Sequence, residues 1–168
     1  VAFNVGFKNN NSYDRSWEAR KIYGGIVNSS RTMGIMTLDF ISNLFNSGAP
    51  LTEQELKVIK KRIIYRHIAW LTALRYQLRE HKSWEHHQHK DVTKHKVKNG
   101  NFIAEQVTPI KDVISEFLTI EERDDILSRP NPAVRLLKNQ SRELTQLRDK
   151  GLMDDFRYIE FKNIIEEF

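Results

Sequence analysis

His86, His87 and His89, with His81 and His95 close by, are the residues whose type and spacing most readily suggest chemistry. Imidazoles gathered within a few positions can ligate zinc or nickel. A metal centre needs three or four ligands that converge in space, however, and these five stand in a lysine-rich run without regular periodicity, so the pattern favours adventitious binding. The sixth histidine, His67, falls on an apolar stripe, where an imidazole is usually a hydrogen-bonded core group. Asp124-Asp125 and Asp154-Asp155 are adjacent carboxylates, but neighbours on a helix point in different directions and are badly placed to share a proton or an ion. There is no Gly-rich phosphate loop, no Gly-x-Ser-x-Gly elbow and no His-Glu-x-x-His. We therefore expect neither an enzyme nor a cofactor. The chain has no cysteine, which removes disulfides and thiolate metal sites.

The elements that must position these residues are all helical in the sequence. From Tyr13 to Asn46 apolar residues recur every three or four positions, through Trp17, Tyr23, Val27, Met33, Leu38, Ile41 and Phe45. Periodicity alone reads this as an amphipathic helix with aromatics in the core and Arg15, Glu18 and Lys21 solvated. Gly24-Gly25, in mid-pattern, suggests a kink or a closely packed neighbour. Asn46-Ser47-Gly48-Ala49-Pro50 is a turn. Thr52-Glu53-Gln54-Glu55 is a capping box opening a helix to about Glu80, with Leu56, Ile59, Ile63, His67, Trp70, Leu71, Leu74 and Leu78 as its buried stripe. Thr108-Pro109 opens a short helix to Phe117, and Thr119-Ile120-Glu121-Glu122 is a second capping box. Asn131-Pro132 starts a helix that Gly151 ends, and Asp154 or Asp155 caps the last, where Phe156, Ile159, Ile164 and Phe168 are spaced for burial. Nothing reads as a strand, so the fold class is all-α, an elongated bundle of long amphipathic helices.

Charge is unevenly spread. Between Lys57 and Lys98 there are twelve Lys or Arg against three Asp or Glu, although the whole chain carries only +5. Such a tract suits anionic lipid headgroups, an anion-concentrating vestibule or nucleic acid, and equally a solvated face. Residues 81–101 form a basic, histidine-rich loop, with Trp84 the only non-histidine ring between His81 and Lys98, unlike the interleaved aromatics of a single-strand binder. Hydrophobic residues make up 39%, charged residues 29%, and no stretch approaches the roughly 18 to 20 apolar residues of a membrane helix. Val1 opens without a basic region ahead of an apolar one, so no signal peptide is expected.

Three ordered blocks carry more than periodicity. The first is Gly6-Phe7-Lys8-Asn9-Asn10-Asn11-Ser12-Tyr13-Asp14-Arg15-Ser16-Trp17-Glu18-Ala19-Arg20-Lys21 with Val27-Asn28-Ser29-Ser30-Arg31. The second is Arg66-His67-Ile68-Ala69-Trp70-Leu71 with Ala73-Leu74-Arg75 and Gln77-Leu78-Arg79; the third is Asn131-Pro132-Ala133 with Leu136-Leu137 and Gln140. Together they resemble the bacterial bestrophin-like membrane proteins, with Asn9, Asn10, Tyr13, Asp14, Arg15, Trp17, Glu18, Arg20 and Arg31 as signature positions.

The resemblance implies an ion channel of five subunits around one axial pore, each with four membrane helices and a large helical cytosolic part. Its partners would be copies of itself, membrane lipid and permeant monovalent ions, with no nucleic acid expected. Animal members pass chloride and open on calcium, bacterial relatives lean to cations, and both ion classes stay open here. On this reading the chain is the middle of a subunit at the cytoplasmic face of the cell membrane. Residues 1–12 would be the end of a pore helix and an Asn-rich turn, and 13–168 the helical cytosolic domain. Phe3 and Phe7, four positions apart and so on one helix face, take the pore-neck positions by this resemblance, and Phe156 the cytosolic aperture. Read without the resemblance, Phe3 and Phe7 are an apolar terminus and Phe156 a core residue. The alternative function is a soluble basic helical module that binds nucleic acid or anionic lipid.

Overall fold

The computed structural model describes residues 2–80, 105 and 107–168, with the side chains of residues 2–9, 11 and 12 outside the description. Every regular element among the described residues is helical: α1 (Ala2–Phe40), α2 (Glu53–Arg79), α3 (Ile110–Ile114), α4 (Ile120–Leu127), α5 (Pro132–Asp149) and α6 (Asp155–Glu166). The chain divides into two compact units, Val1–Leu56 with Glu143–Phe168, and Lys57–Arg142.

Local chemistry sets most helix ends. At the start of α2 the Thr52 N–H donates to the Glu55 carboxylate (2.7 Å) and the Glu55 N–H donates to Thr52 Oγ1 (3.3 Å), the reciprocal pair of a capping box. The Thr52 N–H first, and second its hydroxyl, which donates to the same carboxylate (2.8 Å), hold the Glu55 carboxyl below its ordinary value. Asn131 Oδ1 accepts from the Val134 N–H (3.1 Å) and Asp154 Oδ1 from the Arg157 N–H (2.8 Å), capping α5 and α6. Gly151, at φ +70°, ends α5 in a Schellman turn: its N–H donates to Arg148 C=O (2.8 Å), and the Leu152 N–H to Leu147 C=O (2.9 Å).

Three boundaries depart from the sequence pattern. The Asn9-Asn10-Asn11 run makes no turn, and α1 passes through it unbroken. At its other end α1 stops at Phe40, not Asn46, because tertiary partners take the groups that would continue it. Arg157 Nη1 donates to Phe40 C=O (3.2 Å), and the Ser42 N–H donates to Leu152 C=O (2.9 Å). Asn43 then fixes the connection by exchanging hydrogen bonds with Leu51 (Nδ2 to C=O 2.7 Å, N–H to Oδ1 3.0 Å). The third is α3, where Pro109 occupies the cap position without a side-chain cap and the helix ends at Ile114. Thr108 instead accepts the Tyr76 hydroxyl on its carbonyl (2.8 Å).

The core of the first unit comprises Met33, Met36, Thr37 and Ile41 with Leu144, Leu147, Leu152, Met153 and Phe161. Phe40 and Phe161 meet edge to face at 5.9 Å, and the Arg157 guanidinium lies over the rings of Phe40 and Phe45. Phe161, not the expected Phe156 and Ile159, is the buried residue of α6; those two are exposed, Phe156 by 84%. The second unit packs Ile63, Ala69, Trp70 and Ala73 of α2 against Ile114, Ile126, Ala133 and Leu136. Leu78, expected on that stripe, is exposed.

Candidate functional site: an exposed helix face and a buried ion pair

The signature blocks meet two different fates. In the second unit Arg66 of the second block donates to Glu122 of α4 through Nε (2.6 Å) and Nη2 (3.1 Å), and both side chains are largely buried. Asn139 Nδ2 also donates to Glu122 (3.2 Å), and Gln140 Nε2 donates to Ile63 C=O (3.2 Å). The second and third blocks are thereby brought together as interior structure, held by a forked charge-assisted pair. Arg66 is accordingly not part of a solvated basic face, although Lys57, Lys61, Arg62, Arg75 and Arg79 are exposed. Glu122 was not evident from the sequence as its partner, since the two lie 56 positions apart and Glu122 reads as a capping residue.

His67 is buried, 8% exposed, and stacks on Trp70 at 5.1 Å. Desolvation pulls its pKa down to about 4 from the ordinary 6.5. The unfolded chain therefore binds the extra proton first as pH falls, so stability is full above about pH 6.5 and is lost down to about pH 4, by about 3 kcal/mol. Urea midpoints measured across that window should show this slope, and His67→Phe should flatten it; an unchanged slope would refute a neutral buried imidazole. The exposed carboxyls of Glu55, Asp124 and Asp125 are also depressed, but their protonation falls at lower pH. Arg123 beside Asp124, and Arg135 then Arg129 beside Asp125, cause the last two. The two carboxylates thus point apart, as expected.

The first block is exposed from Tyr13 to Lys21 and turns inward at Ser29. Asn10, Tyr13, Asp14, Arg15, Trp17, Glu18, Arg20 and Arg31 are all exposed on α1, Tyr13 by 68% and Trp17 by 51%, which overturns the reading of these aromatics as core. Lys21 sits over the Trp17 ring at 5.7 Å. Gly24 and Gly25 have nothing within 4 Å of the Cβ they lack, so no neighbour among the described residues explains them. Further along, α1 packs on α6, and Ser29 donates its hydroxyl to the Glu167 carboxylate, a contact with no sequence signal across 138 positions. Asn9, Phe3 and Phe7 lie in the helical backbone of α1, with side chains outside the description. His81, His86, His87, His89, His95 and the whole 81–101 loop lie outside the described residues. Among the described residues no three His, Asp or Glu are grouped to hold a metal ion, and no helix is long and apolar enough to cross a membrane.

All of residues 1–168 match the family described as Bacterial/Fungal Bestrophin protein. The chain belongs to the bestrophin family. Solved structures of a bacterial bestrophin homologue from Klebsiella pneumoniae share the fold: one superposes with a TM-score of 0.70 at 22% identity, covering 99% of this chain and 48% of that chain. Another gives 0.69 at 23% identity with the same coverage. This bestrophin chain thus spans about half the length of those solved relatives. A curated relative, a voltage-dependent anion channel-forming protein of Ralstonia nicotianae, is 54% identical over 33 residues, 20% of this chain and 11% of that protein.

Proposed function

We propose that this chain is the cytosolic helical part of an oligomeric ion channel, in which five copies set α1 around a common axis. Phe3 and Phe7 form the narrow neck, α1 continues it into a vestibule, and Phe156 rings a second constriction at the cytosolic aperture. Residues 1–12 are then the end of the pore helix and 13–168 the domain at the cytoplasmic face of the membrane. Monovalent ions, membrane lipid and copies of the same chain are its partners.

The observation that carries this reading is the contrast between the blocks: Arg66, His67, Ala69, Trp70 and Ala73 of the second and Ala133, Leu136 and Gln140 of the third are buried, while Asn10 and Tyr13 to Lys21 of the first lie exposed on a long helix. Exposed Trp and Tyr of that number usually mark an interaction surface. The exposure of Phe156 supports the aperture over a core role. The relative named as an anion channel-forming protein supports ion conduction as the activity.

Planar-bilayer recording of the full-length protein carrying this chain tests it. The parent should conduct, and Phe7→Ala, by widening an apolar constriction that gates through dewetting, should raise open time several-fold. Absence of current in both would refute the channel. A salt-dependent shift of DNA by the same protein would instead favour the basic-module reading.

A further inference from the structure

The interior of the second unit uses only part of the second and third blocks. Arg66, Ala69 and Trp70 are buried there, but Gln77 and Arg79 of one block and Pro132 of the other line a common cavity of about 600 Å³. Every residue described in its wall belongs to the second unit, so the cavity is a property of that unit alone. Its volume falls within the roughly 300 to 1,000 Å³ of sites that hold small organic molecules.

The wall divides by chemistry. Ala73, Ile110, Pro130 and Pro132 supply apolar surface, and Tyr76 adds a ring held by the hydrogen bond from its hydroxyl to Thr108 C=O (2.8 Å). Arg79 and Arg129 bring guanidinium groups whose side chains are about half exposed. Their carboxylate partners are shared. Glu105, 8% exposed, takes Arg75 at 2.7 Å, while Arg79 stands 3.7 Å away, too far for a hydrogen bond. Asp125 is divided in the same way, between Arg129 at 3.1 Å and Arg135 at 2.8 Å. Four guanidiniums thus compete for two carboxylates, and Glu80 in the wall adds a third. The group keeps one positive charge in excess, and two of its planar forks, Arg79 and Arg129, line the cavity.

A bare inorganic anion would leave the apolar wall wet, and a neutral hydrophobe would leave the excess charge unmet. A molecule with both features meets the whole surface. We propose that this cavity binds a small organic carboxylate with a flat apolar body, its carboxylate held by Arg79 and Arg129 and its body against Ala73, Ile110, Pro130 and Pro132. The site is independent of the channel reading, and its test measures binding instead of current.

Titration calorimetry of the full-length protein in lipid nanodiscs with 2-naphthoate, empty discs serving as the blank, decides it. The parent should bind with a Kd of about 1 mM or tighter, the range open to a ligand of that size. Arg79→Gln and Arg129→Gln should each weaken binding about ten-fold, through the loss of a charge-assisted donor. On the parent, 2-naphthamide, the same body without the charge, should bind about ten-fold less tightly than naphthoate. Inorganic phosphate at equal concentration, charge without the body, should leave naphthoate bound. Gln77→Trp, which fills the cavity from an exposed position and leaves every charge in place, should abolish binding. The two neutral comparisons keep the test decisive should an arginine variant fold poorly. No saturable heat from the parent overturns the proposal, as does amide binding as tight as that of naphthoate. Full displacement by phosphate, or parent-like affinity in the Gln77→Trp variant or in both arginine variants, overturns it equally.

Discussion

Replacing Gly151 by Ala should destabilise the first unit by about 3 kcal/mol, read as a shift of the urea midpoint and as lost amide protection at residues 41–46 and 147–158. Two independent terms add. The residue sits at φ +70°, where a Cβ costs about 1 to 2 kcal/mol. That Cβ would also lie 2.6 Å from the carbonyl oxygen of Phe45, 3.1 Å from Asn46 Cα and 3.2 Å from the Phe45 carbonyl carbon. All three are backbone atoms, so no side chain can swing aside, and overpacking of this kind costs about 1 to 3 kcal/mol. Gly151→Asn separates the terms, because Asn tolerates the left-handed region but still carries the Cβ; it should remain well below the parent. Near-parent stability of the Ala variant would mean that the connection after α1 yields freely, contrary to the hydrogen bonds of Asn43 and Ser42 that pin it.

The second large effect concerns charge inside the second unit. Glu122→Ala should cost about 3 to 5 kcal/mol, since it takes the carboxylate from a guanidinium that is almost wholly removed from water. Asn139 loses an acceptor in the same step. The double variant Arg66→Met, Glu122→Leu should be milder than Glu122→Ala, because an apolar pair of similar volume removes the buried guanidinium together with its carboxylate. A double variant as unstable as Glu122→Ala would show that the pair holds the unit together through something other than its charge.

Glu122 also illustrates where sequence reasoning stops. Thr119-x-x-Glu122 reads as a complete capping box, and half of it forms: Thr119 Oγ1 accepts the Glu122 N–H at 3.3 Å. The other half does not, for the carboxylate turns to Arg66. At Thr52 and Glu55, on an exposed helix start with no competing cation, the same pattern closes fully. A local motif is thus decided by whether a stronger partner arrives from elsewhere in the chain. The last helix makes the same point with apolar residues. Spacing allowed Phe156 and Ile159 a buried face, but Arg157, anchored on Phe40 and Asp154, turns the helix so that Phe161 enters the core and Phe156 faces out.

The candidate site divides likewise. That the first block carries the family resemblance was legible from its residues, but its aromatics looked like core because Tyr13 and Trp17 repeat at helical spacing, and spacing records only that a face is apolar. Whether that face meets its own chain or something outside depends on what packs against it, and among the described residues Tyr13 and Trp17 stay exposed.

The sequence by itself determined the all-helical class, the family and the starts of α2, α4, α5 and α6 with the end of α5, because caps, prolines at first turns and the glycine at position 151 act on backbone groups within five residues. Only the tertiary structure decided which face of each helix is buried, who neutralises Arg66 and where α1 stops. Those outcomes turn on competition between partners up to 138 positions apart, whose energies of a few kcal/mol exceed the tenths of a kcal/mol in local preference.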